Sequence, residues 1–419
     1  KLIFAKEGFI IVAGAWLIMS AIGAIPFVLS GDIPSYTDAF FETVSGFTTT
    51  GASALTDVES LSRGALFWRS FTHWVGGMGV LVFVMALLPS FSDRSIHIMR
   101  AEMPGPIVGK IVPRARQTAR ILYVIYFVMT VAEVILLLLG DMPLFDSVVH
   151  AFGTAGTGGF GIKSDSIASY SPYLQWVITV FMFLFGVNFN IYYLMLLKKF
   201  KSVFKSGELW AYVGIAAVAT VAICINILPT FNNFWDALRA SAFQVSSIIT
   251  TTGFSTVDFD VWPTFSKVIL AALMFTGACA GSTGGGFKVT RLVILFKSIK
   301  QELKRMIHPR SVRAIKFEGK VVDQTTLNGV GIYLGIYMMC LVAVIIAISF
   351  EPFDFETSFS AALSCFNNIG PGFSAVGPMA SYAEYTGFSK IILSFAMLLG
   401  RLEIYPLLIA LTPSTWTKK

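Results

Sequence analysis

Four short strips of threonine and glycine carry the residues of this chain that could do chemistry. They are Thr48-Thr49-Thr50-Gly51-Ala52, Ala155-Gly156-Thr157-Gly158-Gly159, Thr250-Thr251-Thr252-Gly253-Phe254 and Ile369-Gly370-Pro371-Gly372-Phe373. Their glycines at 51, 158, 253 and 372 recur with a period of about 105 residues, and self-similarity at a fixed period is stronger evidence than any single motif. Acidic side chains are absent from the strips. Backbone carbonyls are then the available ligands, which suits a monovalent cation better than calcium or magnesium, whose sites use carboxylates. Glycine permits the backbone angles that aim successive carbonyls at one axis.

Such strips need elements to hold them. Each is preceded by a semi-polar segment, at 36–47, 144–155, 235–249 and 356–368, and each segment lies between two apolar runs. The apolar runs are about 8–29, 66–89, 120–140, 172–197, 209–229, 265–287, 327–349 and 388–412. Each is near the length that a spanning helix needs, whereas the semi-polar segments are too short to cross and read as re-entrant. Thr37/Asp38, Asp146/Ser147, Asp236 and Thr357/Ser358 offer N-caps for them. The carboxyl ends of four such helices, partially negative, would face a shared cavity and favour a cation. Non-helical backbone at membrane depth is tolerated only where it is buried in protein or lines a watery cavity. The expected architecture is an all-α polytopic membrane protein. Four tandem helix–pore-loop–helix repeats, at 1–98, 99–205, 206–310 and 311–419, surround one central pore.

Composition agrees. The 419 residues have a mean hydropathy of +0.73 and only 13% charged side chains. A soluble domain carries about 25%. The net charge of +7 does not indicate nucleic acid, because of where it falls. Segments 1–6, 89–120, 198–208 and 288–320 carry 2, 6, 4 and 10 Lys and Arg, while 350–387 carries none. The positive-inside rule makes the basic segments, and the amino end of this chain, cytoplasmic, with anionic membrane lipids as their counter-charge. The four cysteines (224, 279, 340 and 365) lie in apolar stretches without a CxxC pair and read as small buried hydrophobes. The chain starts at Lys1 with no cleavable signal pattern ahead of its first apolar run.

Two further features stand inside the apolar runs. Five glycines fall within 277–286 (Gly277, Gly281, Gly284, Gly285 and Gly286). Each costs a helix about 1 kcal/mol relative to alanine, so the sixth span breaks there. Together with Ser282 and Thr283, this polar backbone would lie just below the strips, able to plug the pore and to move. Close packing of small residues is the alternative reading. The stretch is not an ATP loop: Lys288 comes one residue late and Val289 stands where a hydroxyl should hold magnesium. Arg401 lies inside the eighth span, and charge in a membrane is usually functional. It would raise the barrier to cations or hold the loop shut; pairing with Glu403, two residues on, is disfavoured on a helix. Glu133 is a similar acid whose partner the sequence leaves open.

These residues resemble the Trk/Ktr/HKT superfamily of potassium transporters, over essentially the whole chain. The resemblance rests on Thr49-Thr50-Gly51, Thr251-Thr252-Gly253, Asn367-Asn368-Ile369-Gly370-Pro371-Gly372, His73-Trp74-Val75-Gly76-Gly77-Met78-Gly79, Ala280-Gly281-Ser282-Thr283-Gly284-Gly285-Gly286-Phe287-Lys288 and Gly400-Arg401. The Asn-Asn-x-Gly-Pro-Gly and Gly-Arg-Leu-Glu forms are more similar to the TrkH-like membrane subunit than to the KtrB branch. TrkH-like subunits usually carry an additional helical hairpin ahead of the first repeat, which is either cut off or absent in this sequence.

The resemblance implies a single-chain pseudo-tetrameric pore, assembled as a homodimer in the bacterial inner membrane. It implies gating by a cytoplasmic RCK-type, TrkA-like nucleotide-binding ring. The filter would be the carbonyls of Thr49, Thr50 and Gly51; Gly156, Thr157 and Gly158; Thr251, Thr252 and Gly253; and Gly370, Pro371 and Gly372. It also implies that the glycine-rich loop is an intramembrane gate. Plant relatives with serine at the first filter glycine favour sodium, so Gly51 argues for potassium, both bound and transported, with no cofactor in the chain itself. Three other readings remain for comparison. An ion-coupled (H+ or Na+) symporter would show inverted repeats and midplane carboxylates. A less selective Na+/K+ pathway would need different strips. An enzyme would show HExxH, paired carboxylates or GxSxG, which this sequence lacks.

Overall fold

A computed structural model describes residues 5–79, 115–309 and 314–416. The expected run of the second span to residue 89, the basic segment before Ala115 and the 98/99 and 310/311 repeat boundaries lie outside them. The first repeat contains α1 (Ala5–Ser30), α2 (Tyr36–Phe47) and α3 (Arg63–Gly77). The second contains α4 (Ala115–Leu139), α5 (Leu144–Gly156), α6 (Pro172–Phe185), α7 (Phe189–Leu196) and α8 (Phe200–Phe204). The third contains α9 (Gly207–Ile227), α10 (Phe234–Ile249), α11 (Thr264–Thr276) and α12 (Val289–Ile307). A hairpin of β1 (Lys316–Phe317) and β2 (Lys320–Val321) leads into α13 (Gln324–Ile348), α14 (Phe355–Asn367), α15 (Gly387–Arg401) and α16 (Tyr405–Leu411).

The first helix of each repeat spans without interruption: Glu7–Ser30, Arg120–Leu139, Gly207–Thr230 and Gln324–Ile348 are long and apolar enough to cross a membrane. In the second, third and fourth repeats the second helix does not. Pro172–Phe185 and Phe189–Leu196 meet at 89° around Gly186-Val187-Asn188. α11 and α12 are separated by the glycine-rich loop, and α15 from α16 by Leu402-Glu403-Ile404. Only the break in the third repeat was expected. The others follow from local backbone demands: the side chain of Asn188 accepts the Asn190 N–H and starts α7 anew, and Glu403 and Ile404 both have positive φ.

The short helices start slightly earlier than the acidic residues suggested. The N-caps are Ser35, Asn233 and Asp354, and the second repeat begins after Pro143 with no side-chain cap. Asp38, Asp146, Asp236 and Glu356 fall instead in the first turns, where negative charge complements the helix dipole. Hydrogen bonds from Thr357 hold the Asp354 carboxyl below the usual range, so this cap stays charged.

The packing is cyclic. α3 lies on α5, α6 on α10, α11 on α14, and α15 returns to α2. Each second helix therefore supports the short helix of the next repeat, and the fourth closes on the first. Burial is inverted relative to a soluble protein. Ile18, Leu29 and Val218 are exposed on the perimeter, while Thr48, Thr154, Ser247 and Ser364 are fully buried at the centre. Lipid can cover the former; the latter surround the axis.

Candidate ion pathway

Each short helix ends in the same way. One residue turns left-handed: Thr49 (φ 55°), Thr157 (55°), Thr251 (59°) and Asn368 (56°). The following N–H reaches back five residues into the helix: Thr50 to Ser45 (2.8 Å), Gly158 to Gly153 (2.9 Å), Thr252 to Ser247 (2.8 Å) and Ile369 to Ser364 (3.0 Å). This closure satisfies carbonyls that a helix end would otherwise orphan. A second positive φ follows at Gly51 (80°), Gly159 (75°), Gly253 (86°) and Gly370 (101°).

The backbone therefore sets a different register from the stacking of the sequences. Gly159, not Gly158, is equivalent to Gly51, and so is Gly370, not Gly372. Gly158 stands one place earlier, beside Thr50, Thr252 and Ile369. Gly372 lies outside the turn, its N–H bonded to the Val376 carbonyl at 2.7 Å. Pro371 lines the wide side of the strips with Gly51, Gly159, Gly253 and Gly370, in a vestibule of about 250 Å3.

The four strips touch in a ring. A methyl group on Gly51 would collide with the Gly158 carbonyl oxygen, one on Gly159 with that of Thr252, one on Gly253 with that of Ile369, and one on Gly370 with that of Thr50. The order of contact is 1–2–3–4–1, as for the helices. No side chain larger than hydrogen fits these positions without moving a neighbouring carbonyl.

Polar side chains brace the ring from behind. The Thr48 and Thr50 hydroxyls are 2.8 Å apart, and the Thr250 and Thr252 hydroxyls 2.7 Å. Asn368 Nδ2 donates to Thr50 Oγ1 at 3.0 Å and to the Met397 carbonyl at 2.8 Å. Tyr382 donates its hydroxyl to the Gly370 carbonyl at 2.8 Å. His73 Nδ1 stands 2.8 Å from the Gly46 carbonyl and its Nε2 accepts the Phe160 N–H at 3.3 Å, so the proton sits on Nδ1.

Glu42 and Arg69 form a buried ion pair at 2.6 Å, both almost without solvent exposure. Glu42 also accepts the Ala54 N–H, and Arg69 donates to the Gly161 carbonyl, so the pair ties the exits of the first two strips. Removing one partner of a buried pair leaves an uncompensated charge and costs about 3–5 kcal/mol. Arg69→Met is expected to lower the apparent melting temperature of the detergent-solubilised protein by many degrees. Arg69→Met with Glu42→Leu should recover most of the loss. An unshifted melt for the single variant would remove this pair from the account.

The glycine-rich loop lies against the helical side of the ring. The Gly285 N–H donates to Thr251 Oγ1 at 2.6 Å, Gly284 abuts the Thr250 carbonyl, and Gly285 abuts the Asn367 carbonyl. Gly277, Gly281 and Gly286 all have positive φ, and Thr283 donates its hydroxyl to the Phe185 carbonyl at 3.2 Å. Ser282 folds back on the Cys279 carbonyl. Arg401 reaches the loop from α15. Its Nη1 donates to the Thr283 carbonyl at 2.7 Å, and its Nη2 to the Gly76 and Gly77 carbonyls at 2.5 and 2.8 Å. One guanidinium thus joins the third, fourth and first repeats. A cavity of about 50 Å3 beneath the ring is lined by Gly77, Gly79, Gly285, Lys288 and Arg401, among others.

Comparison with known proteins follows from this geometry. The family model of TrkH, described as cation transport protein, matches residues 3–211 and 233–418. The chain belongs to the TrkH family. The Trk system potassium uptake protein TrkH of Salmonella typhimurium is 37% identical over 98% of this chain and 86% of its own length. The Trk system potassium uptake protein TrkG of Escherichia coli is 34% identical over 98% of this chain and 85% of its own. The crystal structure of the potassium transporter TrkH from Vibrio parahaemolyticus superposes with a TM-score of 0.87 at 33% identity, covering 98% of this chain and 86% of that one.

In this TrkH-family chain the residues Thr49–Gly51, Thr157–Gly159, Thr251–Gly253 and Asn368–Gly370 come together in one ring. Gly156 stays in its short helix, Pro371 faces the vestibule and Gly372 lies outside the turn. Beneath the ring the loop is bonded to Arg401 through Thr283. Three residues that hold the loop had no assigned part in it. Glu208 accepts the Ala280 N–H at 2.6 Å and is also bonded by Thr290. Lys288 donates to the Gly284 carbonyl. Arg291 pairs with Glu403 and lies 4.0 Å over the Tyr333 ring. Glu133 lies fully buried beside Thr154 of the second short helix.

Proposed function

We propose that this chain takes up potassium across the bacterial cytoplasmic membrane through a gated, potassium-selective pore. The observation that carries the reading is the ring itself: four strips without carboxylates, closed glycine to carbonyl around one axis. Carbonyls of Thr49, Thr157, Thr251 and Asn368, then of Thr50, Gly158, Thr252 and Ile369, then of Gly51, Gly159, Gly253 and Gly370, supply successive rings of oxygen. These oxygens replace the hydration shell of the ion. Gly156 and Pro371 flank these levels at the two ends.

The loop from Gly277 to Gly286 is the gate, held against the ring by Arg401. Fixed positive charge at Arg401 and Lys288 raises the barrier for a cation leaving the ring, and withdrawal of the loop lowers it. The basic face, with Lys198–Lys205 and α12, is the cytoplasmic one, so the vestibule opens outward. The relatives belong to a named Trk system, which supports a partner on that face; an RCK-type ring and a homodimer are the expected assembly. Around the loop, coupling to protons or sodium finds little support, because Glu208 and Glu403 are both engaged by donors.

Rubidium-86 uptake into potassium-loaded proteoliposomes tests the reading, with Arg401→Ala run beside the unaltered chain so that a shut gate is distinguished from an absent pore. External potassium should compete at far lower concentration than sodium. Equal competition by the two ions would refute selectivity by these strips.

A further inference from the structure

The vestibule above the ring carries charge of the wrong sign for a cation entrance. Among its described lining residues none is acidic and two are basic, Arg69 and Lys163. Cation pathways with charged mouths use rings of Asp and Glu. Arg69 is neutralised: Glu42 holds it at 2.6 Å, and its guanidinium lies 4.0 Å over the Phe160 ring. Lys163 is not. Its amine donates to Ser169 Oγ at 3.0 Å and stands 4.2 Å from the Tyr170 ring, and neither partner is charged.

Three acids lie close to this lysine in the fold, and each is bonded elsewhere. Asp146 accepts the Tyr170 hydroxyl at 2.9 Å, Glu59 the Ser164 N–H at 3.0 Å, and Asp165 the Ser169 hydroxyl at 3.4 Å. None of them lines the vestibule, and among the described residues none forms an ion pair with Lys163. The place of the charge is fixed. Lys163 follows Gly159 by four residues, in the segment that leaves the second strip. Tyr170 beneath it packs edge-on against His150 of α5, with ring centres 5.2 Å apart. The vestibule, of about 250 Å3, is comparable in width with a Debye length, about 8 Å at physiological salt, so an ion inside it feels the ammonium.

We propose that Lys163 is a specificity residue of the entrance, where its charge turns away divalent cations before they reach the ring. A fixed potential changes the local concentration of an ion by a factor raised to the power of the ion's charge. A unit charge about 6 Å away in water lowers a monovalent cation roughly threefold, and a divalent one by the square of that, roughly ninefold. Exclusion at this point matters because the ring cannot supply it. Carbonyl oxygens spaced for potassium also fit barium, which has nearly the same radius and twice the charge. Potassium loses local concentration only to the first power, so the lysine improves the ratio of the two ions at the ring. This inference rests on the pore reading above, and the test separates the two.

Proteoliposomes of zwitterionic lipid, at low ionic strength and in the Arg401→Ala background, give two concentrations for each residue placed at 163. One is the external rubidium that half-saturates rubidium-86 uptake; the other is the external barium that halves it. Lys163→Gln should lower the first roughly threefold and the second roughly ninefold, and Lys163→Glu should lower them by the squares of those factors. Lys163→Arg should leave both unchanged. In 1 M salt, where the Debye length is about 3 Å, the differences should vanish. Binding of barium-133 to the detergent-solubilised chain reads the second factor without flux and should show the same gain in Lys163→Gln. Equal factors for the two ions, an Arg variant that behaves like the Gln variant, or barium sensitivity unmoved in both Gln and Glu variants overturns the proposal. If potassium and sodium compete equally while the squared relation holds, the selective ring fails and the role of Lys163 stands.

Discussion

Gly51→Ser is expected to lower the preference for potassium over sodium by about tenfold or more, measured as competition against rubidium-86 uptake. Gly51 has φ +80°, where an L side chain is strained, and its Cβ would collide with the Gly158 carbonyl oxygen. The left-handed conformation costs about 1–2 kcal/mol, which favours a shift of the backbone, and a difference of about 1.4 kcal/mol between the two ions in the shifted ring is a tenfold change in their ratio. Relief of the collision must displace a carbonyl of the next strip, so the oxygen ring loses its spacing at two strips together. Gly253→Ser should act likewise through the Ile369 carbonyl. Gly14→Ala, where the added methyl meets nothing within 4 Å, should leave selectivity unchanged. Equal selectivity in Gly51→Ser and the unaltered chain would mean that this ring does not discriminate between the ions.

Arg401→Ala is expected to raise basal flux by roughly ten- to hundredfold in protein purified without partners. The guanidinium makes three charge-assisted hydrogen bonds, one to the loop at Thr283 and two to Gly76 and Gly77. Bonds of this kind contribute about 1.5–3 kcal/mol each, and only part of that sum opposes opening, because water replaces some of them. Removing the charge also lowers the electrostatic barrier below the ring. Arg401→Lys should fall between, since a point charge cannot bridge both carbonyl groups as the planar fork does. Flux unchanged in Arg401→Ala would sink the role given to this residue.

The two expectations differ in how far the sequence alone supports them. The short helices and the uninterrupted spans were legible, because length and hydropathy separate about 20 apolar residues from 10–14 semi-polar ones. The register of the strips was not. The second strip offers Gly158 and Gly159 in succession, and the fourth offers Gly370 and Gly372. Composition cannot choose between them; the N–H returning five residues into the short helix does. The breaks at Gly186-Val187-Asn188 and Leu402-Glu403-Ile404 were hidden for another reason, since a hydropathy window averages across one polar residue. Only the third repeat, with its five glycines, declared its break. The anchors of the loop were out of reach as well. Glu208 meets Thr290 across 82 positions, and Arg291 meets Glu403 across 112, so no local spacing reports either pair. Arg401 was legible as a costly charge, but its partners are carbonyls, which have no sequence signature.

The most direct measurement is anomalous scattering from crystals of the protein grown in rubidium, set beside the ordinary electron density of crystals grown in sodium. The account predicts rubidium peaks on the axis between the levels of Thr49, Thr50 and Gly51 and their equivalents in the other three strips, with no ordered sodium replacing them at the same positions. Rubidium located elsewhere, or an axis free of rubidium while uptake persists in the same preparation, would contradict it.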